Sequence, residues 1–303
     1  MLRTIRRKLY PIVSKYFLRA TIVEGFLRET EYTFRCLLID NSPYKEVIQS
    51  RIYETSPRVL RRWRIWNRSI INHIRNSSEK LDMCVAILPM SYDQNLEKMY
   101  DFKSQRGVLQ SLDISDSWDN IRRLFHKNPI ETERKIRKYR LSSKISNSIE
   151  DFDLFYNRMY LPVIEKQHKT TPVIVSYPEL KDIFLNGFLL LVMGEGKAIA
   201  GGLCFRKGSA LIFEKIGVLD AGETYLKKGA QPAVYYFVIR HAKDIGLQKV
   251  DLTTSRSFLN DGVYRHKRER GAAVYPNDKS SGWMQLFNLG CSEKYFVFIR
   301  ETL

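Results

Sequence analysis

The chain has 303 residues, 44% of them hydrophobic and 12% aromatic, and a formal net charge of +17. That much apolar surface can offset the entropy of ordering, so global disorder is excluded, and the length allows one large domain or two small ones. The charge bears on partners rather than on fold: it favours nucleic acid, anionic lipid headgroups, or phosphate-bearing substrates and donors.

The charge is unevenly spread. Residues 1–80 hold 17 Lys and Arg against 7 Asp and Glu, a local excess of +10. The opening run "MLRTIRRKLYPIVSKYFLRATIVEGFL" is basic and amphipathic, without the apolar core and small-residue cleavage site of a secretory signal. It reads either as a basic helix packed on its own domain or as a surface helix touching anionic membrane. No stretch of ~18 apolar residues marks a spanning helix. Cys36, Cys84, Cys204 and Cys291 are far apart, with no CxxC and no His at metal-ligand spacing. They read as buried thiols in a reducing, cytoplasmic setting, and no metal is expected.

In chain order, "EYTFRCLLI" and "MCVAILP" read as short buried strands. Between them, "SPRVLRRWRIWNRSIINHIR" places Val59, Leu60, Trp63, Trp66, Ile70 and Ile74 at spacings of three and four, which predicts an amphipathic helix capped by Ser56. Arg58, Arg61, Arg62, Arg64 and Arg68 fall mostly on its other face, as a solvated surface or a stripe facing an anion or nucleic acid. Residues 118–140 predict a basic helical region broken at Pro129. A helix then starts after Ser148, with Asp151 at its third position and an apolar stripe of Phe152, Phe155, Met159 and Val163.

The rest is more legible. "GFLLLVM", "AIAGGLCFRK" and "ALIFEKIGVL" predict an antiparallel meander with turns at Gly. "AQPAVYYFVIRHAKDIG" predicts a helix begun near Pro232 and stopped at Gly246. The strand "LQKVDLTTS" follows and should lie parallel to its predecessor. A dense cationic helix comes next, and "WMQLFNL" and "KYFVFIRE" read as closing strands. The whole predicts three regions: a basic lobe at 1–117, a helical connection at 118–147, and a catalytic domain at 148–303.

This order resembles the acyl-transfer domain of the GNAT superfamily, and within it the FemAB-like branch. The likeness runs over about residues 118–275. "DFDLFYNRMYLPVIEKQH" resembles the branch's Tyr-x-Pro helix, "NGFLLLVMGEGKAIAGGL" its strand–turn–strand, "GAQPAVYYFVIRHAKDIGLQKVDLTTS" its helix, Gly and strand-borne Asp, and "SRSFLNDGVYRHKRERGA" its closing Lys-x-x-x-Gly. The resemblance implies an α/β (α+β) fold with a mixed, mostly antiparallel, splayed sheet and flanking helices, built as two lobes of which the first is degenerate. It also implies transfer of an acyl or aminoacyl group to the amine of a small acceptor. The chemistry needs no metal: backbone N–H groups and a helix N-terminus hold the donor, a base takes the amine's proton, and a cation steadies the oxyanion. Ser-His-Asp, P-loop, GxGxxG and HExxH signatures are absent.

Several residues are candidates. By resemblance, Lys267, four before Gly271, stabilises the oxyanion or an acceptor phosphate; the alternative is a solvated lysine. Asp251 ends an apolar strand, where a carboxylate needs a partner such as Arg256 or Lys267. Ser255 and Arg256 lie beyond that strand's carboxyl end, where α/β sheets place ligands. Asn260 and Asp261 are caps or substrate contacts. Glu214, in "LIFEKIGV", is a general base or a solvent-facing strand residue. His168 is the other base, or a helix C-terminal histidine. Tyr160 lines an acceptor cleft.

The donor is the open question. Where CoA-dependent relatives carry Gln/Arg-x-x-Gly-x-Gly/Ala, this chain has "LKKGAQPA". Gly229 can replace the middle glycine and Lys227 and Lys228 supply charge, but Leu226 and Gln231 fill the flanking slots. The donor is thus an acyl-CoA or an aminoacyl-tRNA, and the basic first lobe suits the latter. A catalytically dead module binding RNA or anionic membrane is the rival of another class. Peripheral contact at the inner membrane face follows if the basic N-terminus touches lipid.

Overall fold

A computed structural model describes residues 17–41, 44–66, 69–75, 81–88, 100–125, 129–167, 174–277, 282–289 and 293–302. The chain divides into two units: Met1–Val108 with Arg256–Tyr264 and Pro276–Leu303, and Leu109–Ser255 with Arg265–Tyr275. It begins with β1 (Phe17–Phe26), β2 (Thr33–Ile39), α1 (Tyr44–Ile52), β3 (Arg58–Trp66), α2 (Ile70–Arg75), β4 (Met83–Leu88) and β5 (Phe102–Gln105). It continues through β6 (Gly107–Asp113), α3 (Trp118–Arg123), α4 (Pro129–Lys138), β7 (Ser142–Ser146) and α5 (Ile149–Leu154). A π-helical turn, Phe155–Tyr160, runs straight into α6 (Leu161–Gln167), followed by α7 (Tyr177–Leu185). The meander is β8 (Phe188–Gly194), β9 (Lys197–Lys207) and β10 (Ala210–Val218). Then come α8 (Glu223–Lys227), α9 (Ala230–Asp244), β11 (Lys249–Arg256), α10 (Gly262–Arg268), β12 (Ala273–Tyr275), β13 (Trp283–Asn288) and α11 (Glu293–Thr302).

Two mixed sheets result, in the order β3-β1-β2-β4-β13-β5 and β12-β6-β11-β10-β9-β8-β7. In the first, α1 and α11 cover one face, where Ile48, Ile52, Tyr295 and Phe298 pack on Val23, Phe34, Cys36 and Leu38. Ile70 and Ile74 of α2 cover the other, against Ala20, Ile22, Leu37 and Ile39. In the second, Ala233, Val234 and Val238 of α9 close one face. Phe152, Phe155, Met159 and Phe184 close the other, against Leu189, Leu191 and Leu203.

Local rules explain much of this. Ser148 caps α5 by accepting the Asp151 N–H, and the expected stripe turns Phe152, Phe155 and Met159 into the core. The π turn that follows lies hard against β10. A Cβ on Gly217 would stand 2.6–2.8 Å from backbone and Cβ atoms of Met159 and Tyr160, so only glycine admits that approach.

Three expectations are corrected. Residues 58–66 are an edge strand, and the helix begins only at Ile70. Trp63 and Ile65 alternate inward while Arg62, Arg64 and Trp66 are exposed, a period of two that the helical spacing of the large residues concealed. "KYFVFIRE" is the helix α11, whose Tyr295 and Phe298 face the first sheet. "WMQLFNL" does form a strand, but it pairs with β4 and β5 of the first sheet. The second unit runs from Leu109 in β6 to Ser255 and again over Arg265–Tyr275, without Arg256–Tyr264 and Pro276–Leu303.

Candidate functional site

The second sheet changes character at its parallel pair. β10 and β11 share a ladder only over Ala210–Ile212 and Lys249–Asp251, although they run on to Val218 and Arg256. Just past the last paired row, both strands are irregular. On β10, Phe213 faces Cys204 and Lys215 faces Leu203, so Glu214 is an inserted residue. Such a bulge turns neighbouring side chains toward each other rather than to opposite faces. Lys215 Nζ accordingly lies 2.7 Å from Glu214 Oε1, with both side chains about one-quarter exposed.

On β11, Thr253 has φ +62°, a left-handed conformation that costs a β-branched residue about 1–3 kcal/mol. Asp251 offsets part of that strain by accepting the Thr253 N–H at 2.7 Å. At the same kink, Lys267 Nζ donates to the Thr254 carbonyl at 2.9 Å and lies 3.4 Å from the Thr253 carbonyl. Lys267 is only 5% exposed. Of the two readings of this lysine, the solvated one is excluded. The expected pairing of Asp251 with Arg256 or Lys267 is also corrected: its partner is a backbone amide, and the lysine takes carbonyls.

A layer of aromatic and cationic groups backs the kink. Tyr235 of α9 packs edge-on against Phe213 at 5.0 Å and His266 at 4.8 Å. The Arg270 guanidinium lies 5.6 Å from the Tyr235 ring. Burial pushes the Tyr235 phenol up to about 12, so it keeps its proton at neutral pH. Ser255 is buried, and its hydroxyl has no partner among the described residues. From the sequence alone, Tyr235 reads as core with a polar tip. The signal that could have found it is its place on the helix between the two irregular strands.

Beyond the bulge, a small pocket of about 80 Å³ lies at the end of β10. Ile216, Gly217 and Val218 form one wall, Val163 and Lys166 of α6 another, and Ala221, Leu226 and Gln231 the rest. Gly229, with φ +84°, starts α9 from the left-handed region, so that helix opens its N-terminus beside Gln231. The lining is apolar with one cation. That cation is Lys166, whose Nζ lies 3.4 Å from the Ala221 carbonyl and 3.7 Å from Glu223. It stands where Lys227 and Lys228 were expected: Lys227 is exposed, and Lys228 pairs with Glu195 at the β8–β9 turn.

The other nominated residues lie elsewhere. Tyr160 is 1% exposed, and its hydroxyl accepts the Val175 N–H at 3.1 Å, so it is core rather than a cleft wall. Arg256 and Asn260 belong to the first unit. There Asp261 caps α10 through the Val263 and Tyr264 amides, and Arg51 holds Asp261 at 2.8 Å and Asn260 at 3.1 Å. Arg256 stands 3.9 Å from the same carboxylate. His168 lies outside the described residues, as do residues 1–16 of the basic N-terminal run and Cys291. Cys36, Cys84 and Cys204 are buried free thiols, and desolvation raises all three above the ordinary thiol range. Among the described residues, no group of three or more His, Cys, Asp or Glu could hold a metal ion, and no helix is long and apolar enough to cross a membrane.

No protein-family model matches the sequence, and no curated protein matches it. Among solved structures, the chain is similar to FemX, at 12% identity and a TM-score of 0.45, over 92% of this chain and 86% of that one. It is similar to the C-terminal domain of a putative lysylphosphatidylglycerol synthetase from Agrobacterium fabrum, at 10% identity and a TM-score of 0.41, over 92% and 83%. A GCN5-related N-acetyltransferase from Sphaerobacter thermophilus is similar at 11% identity and a TM-score of 0.33, over 86% and 74%.

Proposed function

We propose that the second unit transfers an acyl group to an amine. The observation that carries this reading is the parted end of β10 and β11, where a bulged carboxylate on one strand and a buried lysine at the kink of the other lie just past the last paired row. Irregular strands expose backbone N–H groups that a regular ladder would consume, and such groups hold a donor carbonyl.

Each group has a role in that chemistry. The amine attacks the carbonyl carbon and a tetrahedral oxyanion forms; the leaving thiolate or alkoxide departs with the electron pair of its bond. Glu214 takes the proton that the amine loses, and Lys215, 2.7 Å from its Oε1, holds the carboxylate in place. Lys267, fixed on two carbonyls, places positive charge at the kink without the entropy loss of ordering a surface lysine. Asp251 keeps the strand in the strained shape that positions Lys267's carbonyl anchors. The apolar pocket with Lys166 and the α9 N-terminus suits the arm of a donor whose far end is anionic. That description covers an acyl-CoA and an aminoacyl-tRNA alike.

The test is donor turnover by the full chain. Acetyl-CoA and longer acyl-CoAs, and tRNA charged with a mixture of amino acids, are offered with a panel of primary amines, reading thiol release and label transfer. The reading expects one donor class to be used, with Lys267→Met and Glu214→Gln lowering the rate at unchanged fold. If neither class is turned over and neither raises the melting temperature, the reading is wrong.

A further inference from the structure

The first unit carries a surface that acyl transfer does not use. β3 is an edge strand, paired on one side with β1. The register sets Phe17 opposite Trp66, Arg19 opposite Arg64, and Thr21 opposite Arg62. Side chains alternate along a strand, so these six share one face. The intervening rows, Leu18 with Ile65 and Ala20 with Trp63, turn to the core. The opposite face, covered by α1 and α11 at Val23, presents toward its other end an aromatic pair, an arginine pair and, across from the buried Thr21, a third arginine. Phe17 is 43% exposed and Trp66 50% exposed; Arg62 and Arg64 are exposed, and Arg19 is half-buried.

Like charges directly across a strand pair are destabilising, so Arg19 against Arg64 works against folding. No carboxylate among the described residues pairs with Arg19, Arg62 or Arg64, and the nearest acid on β1, Glu24, is taken by Arg35. The sixteen residues before β1 add five Lys and Arg and no Asp or Glu. Charged residues on an edge strand do protect against edge-to-edge aggregation. That accounts for arginine on β3, but not for Arg19 on the interior strand, nor for two exposed aromatic residues at facing register positions.

We propose that this face of the β1–β3 ribbon binds single-stranded nucleic acid. Rows on one face repeat about every 7 Å, so three rows span about 14 Å, the length of two or three nucleotides. Phe17 and Trp66 offer adjacent platforms for unpaired bases, and the arginines offer planar forks to the phosphates. Rings in the row next to paired guanidiniums suit bases joined by phosphates better than headgroups. The site lies within the first unit and needs no acyl donor, so it stands or falls apart from the transferase reading.

The test uses the full chain and fluorescein-labelled mixed-sequence RNA and DNA 12-mers, single-stranded and as blunt duplexes, with anisotropy read across a salt series. Single strands are expected to bind more tightly than duplexes. Arg62→Ala with Arg64→Ala should lower affinity at low salt more than tenfold and reduce the log–log salt slope by about 1.4. Trp66→Ala should weaken binding about tenfold with the slope unchanged, the mark of lost stacking. Circular-dichroism melts confirm that these exposed substitutions leave the fold intact. Absence of single-strand binding, or binding that the variants do not change, overturns the proposal. So does retention on phosphatidylglycerol vesicles, lost in the Arg62/Arg64 variant, without oligonucleotide binding, for that would assign the face to membrane.

Discussion

Each sheet holds a parallel pair among the described residues, and the two pairs differ in what they carry. In the first sheet, Cys36–Ile39 of β2 run beside Met83–Ala86 of β4, all apolar and all buried. In the second, β10 and β11 keep register for three rows, the last holding Asp251, and Glu214 and Lys215 follow just past it. A strand buried on both faces tolerates charge only where its neighbour stands off and polar groups can be satisfied. The comparison teaches that ionisable residues in an otherwise apolar strand mark where a sheet opens. The apolar pair builds a core, and the charged pair builds a site.

The largest effects come from exchanging those characters. Leu38→Asp puts an unpaired carboxylate inside the closed pair, and the first unit should lose its cooperative unfolding transition in urea; a variant that melts like the parent would break the comparison. At the open pair, Glu214→Gln and Lys267→Met should each lower acyl transfer by about 10²–10³ in kcat, read under saturating donor, because base and oxyanion donor act in the transition state. Smaller is Gly217→Ala: its Cβ must push the π turn off β10, costing about 1–3 kcal/mol by urea denaturation.

The smallest effect is a pH dependence. His241 packs edge-on against Phe188 at 5.3 Å, and desolvation holds it below its ordinary value of 6.5. The unfolded chain therefore binds that proton more readily, so this site contributes no penalty above pH 6.5 and destabilises as pH falls below it toward the folded value. His241→Phe should flatten the loss of melting temperature over that acidic window and leave the value at pH 8 nearly unchanged.

Legibility followed the strength of local signals. The meander, the Pro232-to-Gly246 helix and the strand after it were readable because turns, caps and apolar runs agreed. The 58–74 region was not, because Trp and Ile at three- and four-residue spacings also fit an alternating strand whose outward positions are arginine. "KYFVFIRE" failed for the reverse reason: a short apolar run suits strand or buried helix, and packing decided. At the site, Glu214 and Asp251 were nominated by charge in an apolar strand, Ser255 by its place beyond a strand's carboxyl end, and Lys267 by resemblance. The bulge at Glu214, the left-handed Thr253 and the burial of Lys267 depend on register between strands distant in sequence. Lys166 and Tyr235 were passed over because each reads locally as an ordinary helix residue.

The central claim is that the lysine at the kinked end of β11 stabilises charge arising on a carbonyl. Its most direct measurement is the single-turnover rate of acyl transfer by the parent chain, Lys267→Met and Lys267→Arg, with whichever donor class the parent uses. The account predicts a fall of about 10²–10³ for methionine, partial recovery with arginine, and donor affinity within a few-fold of the parent. Equal rates in all three proteins would contradict it.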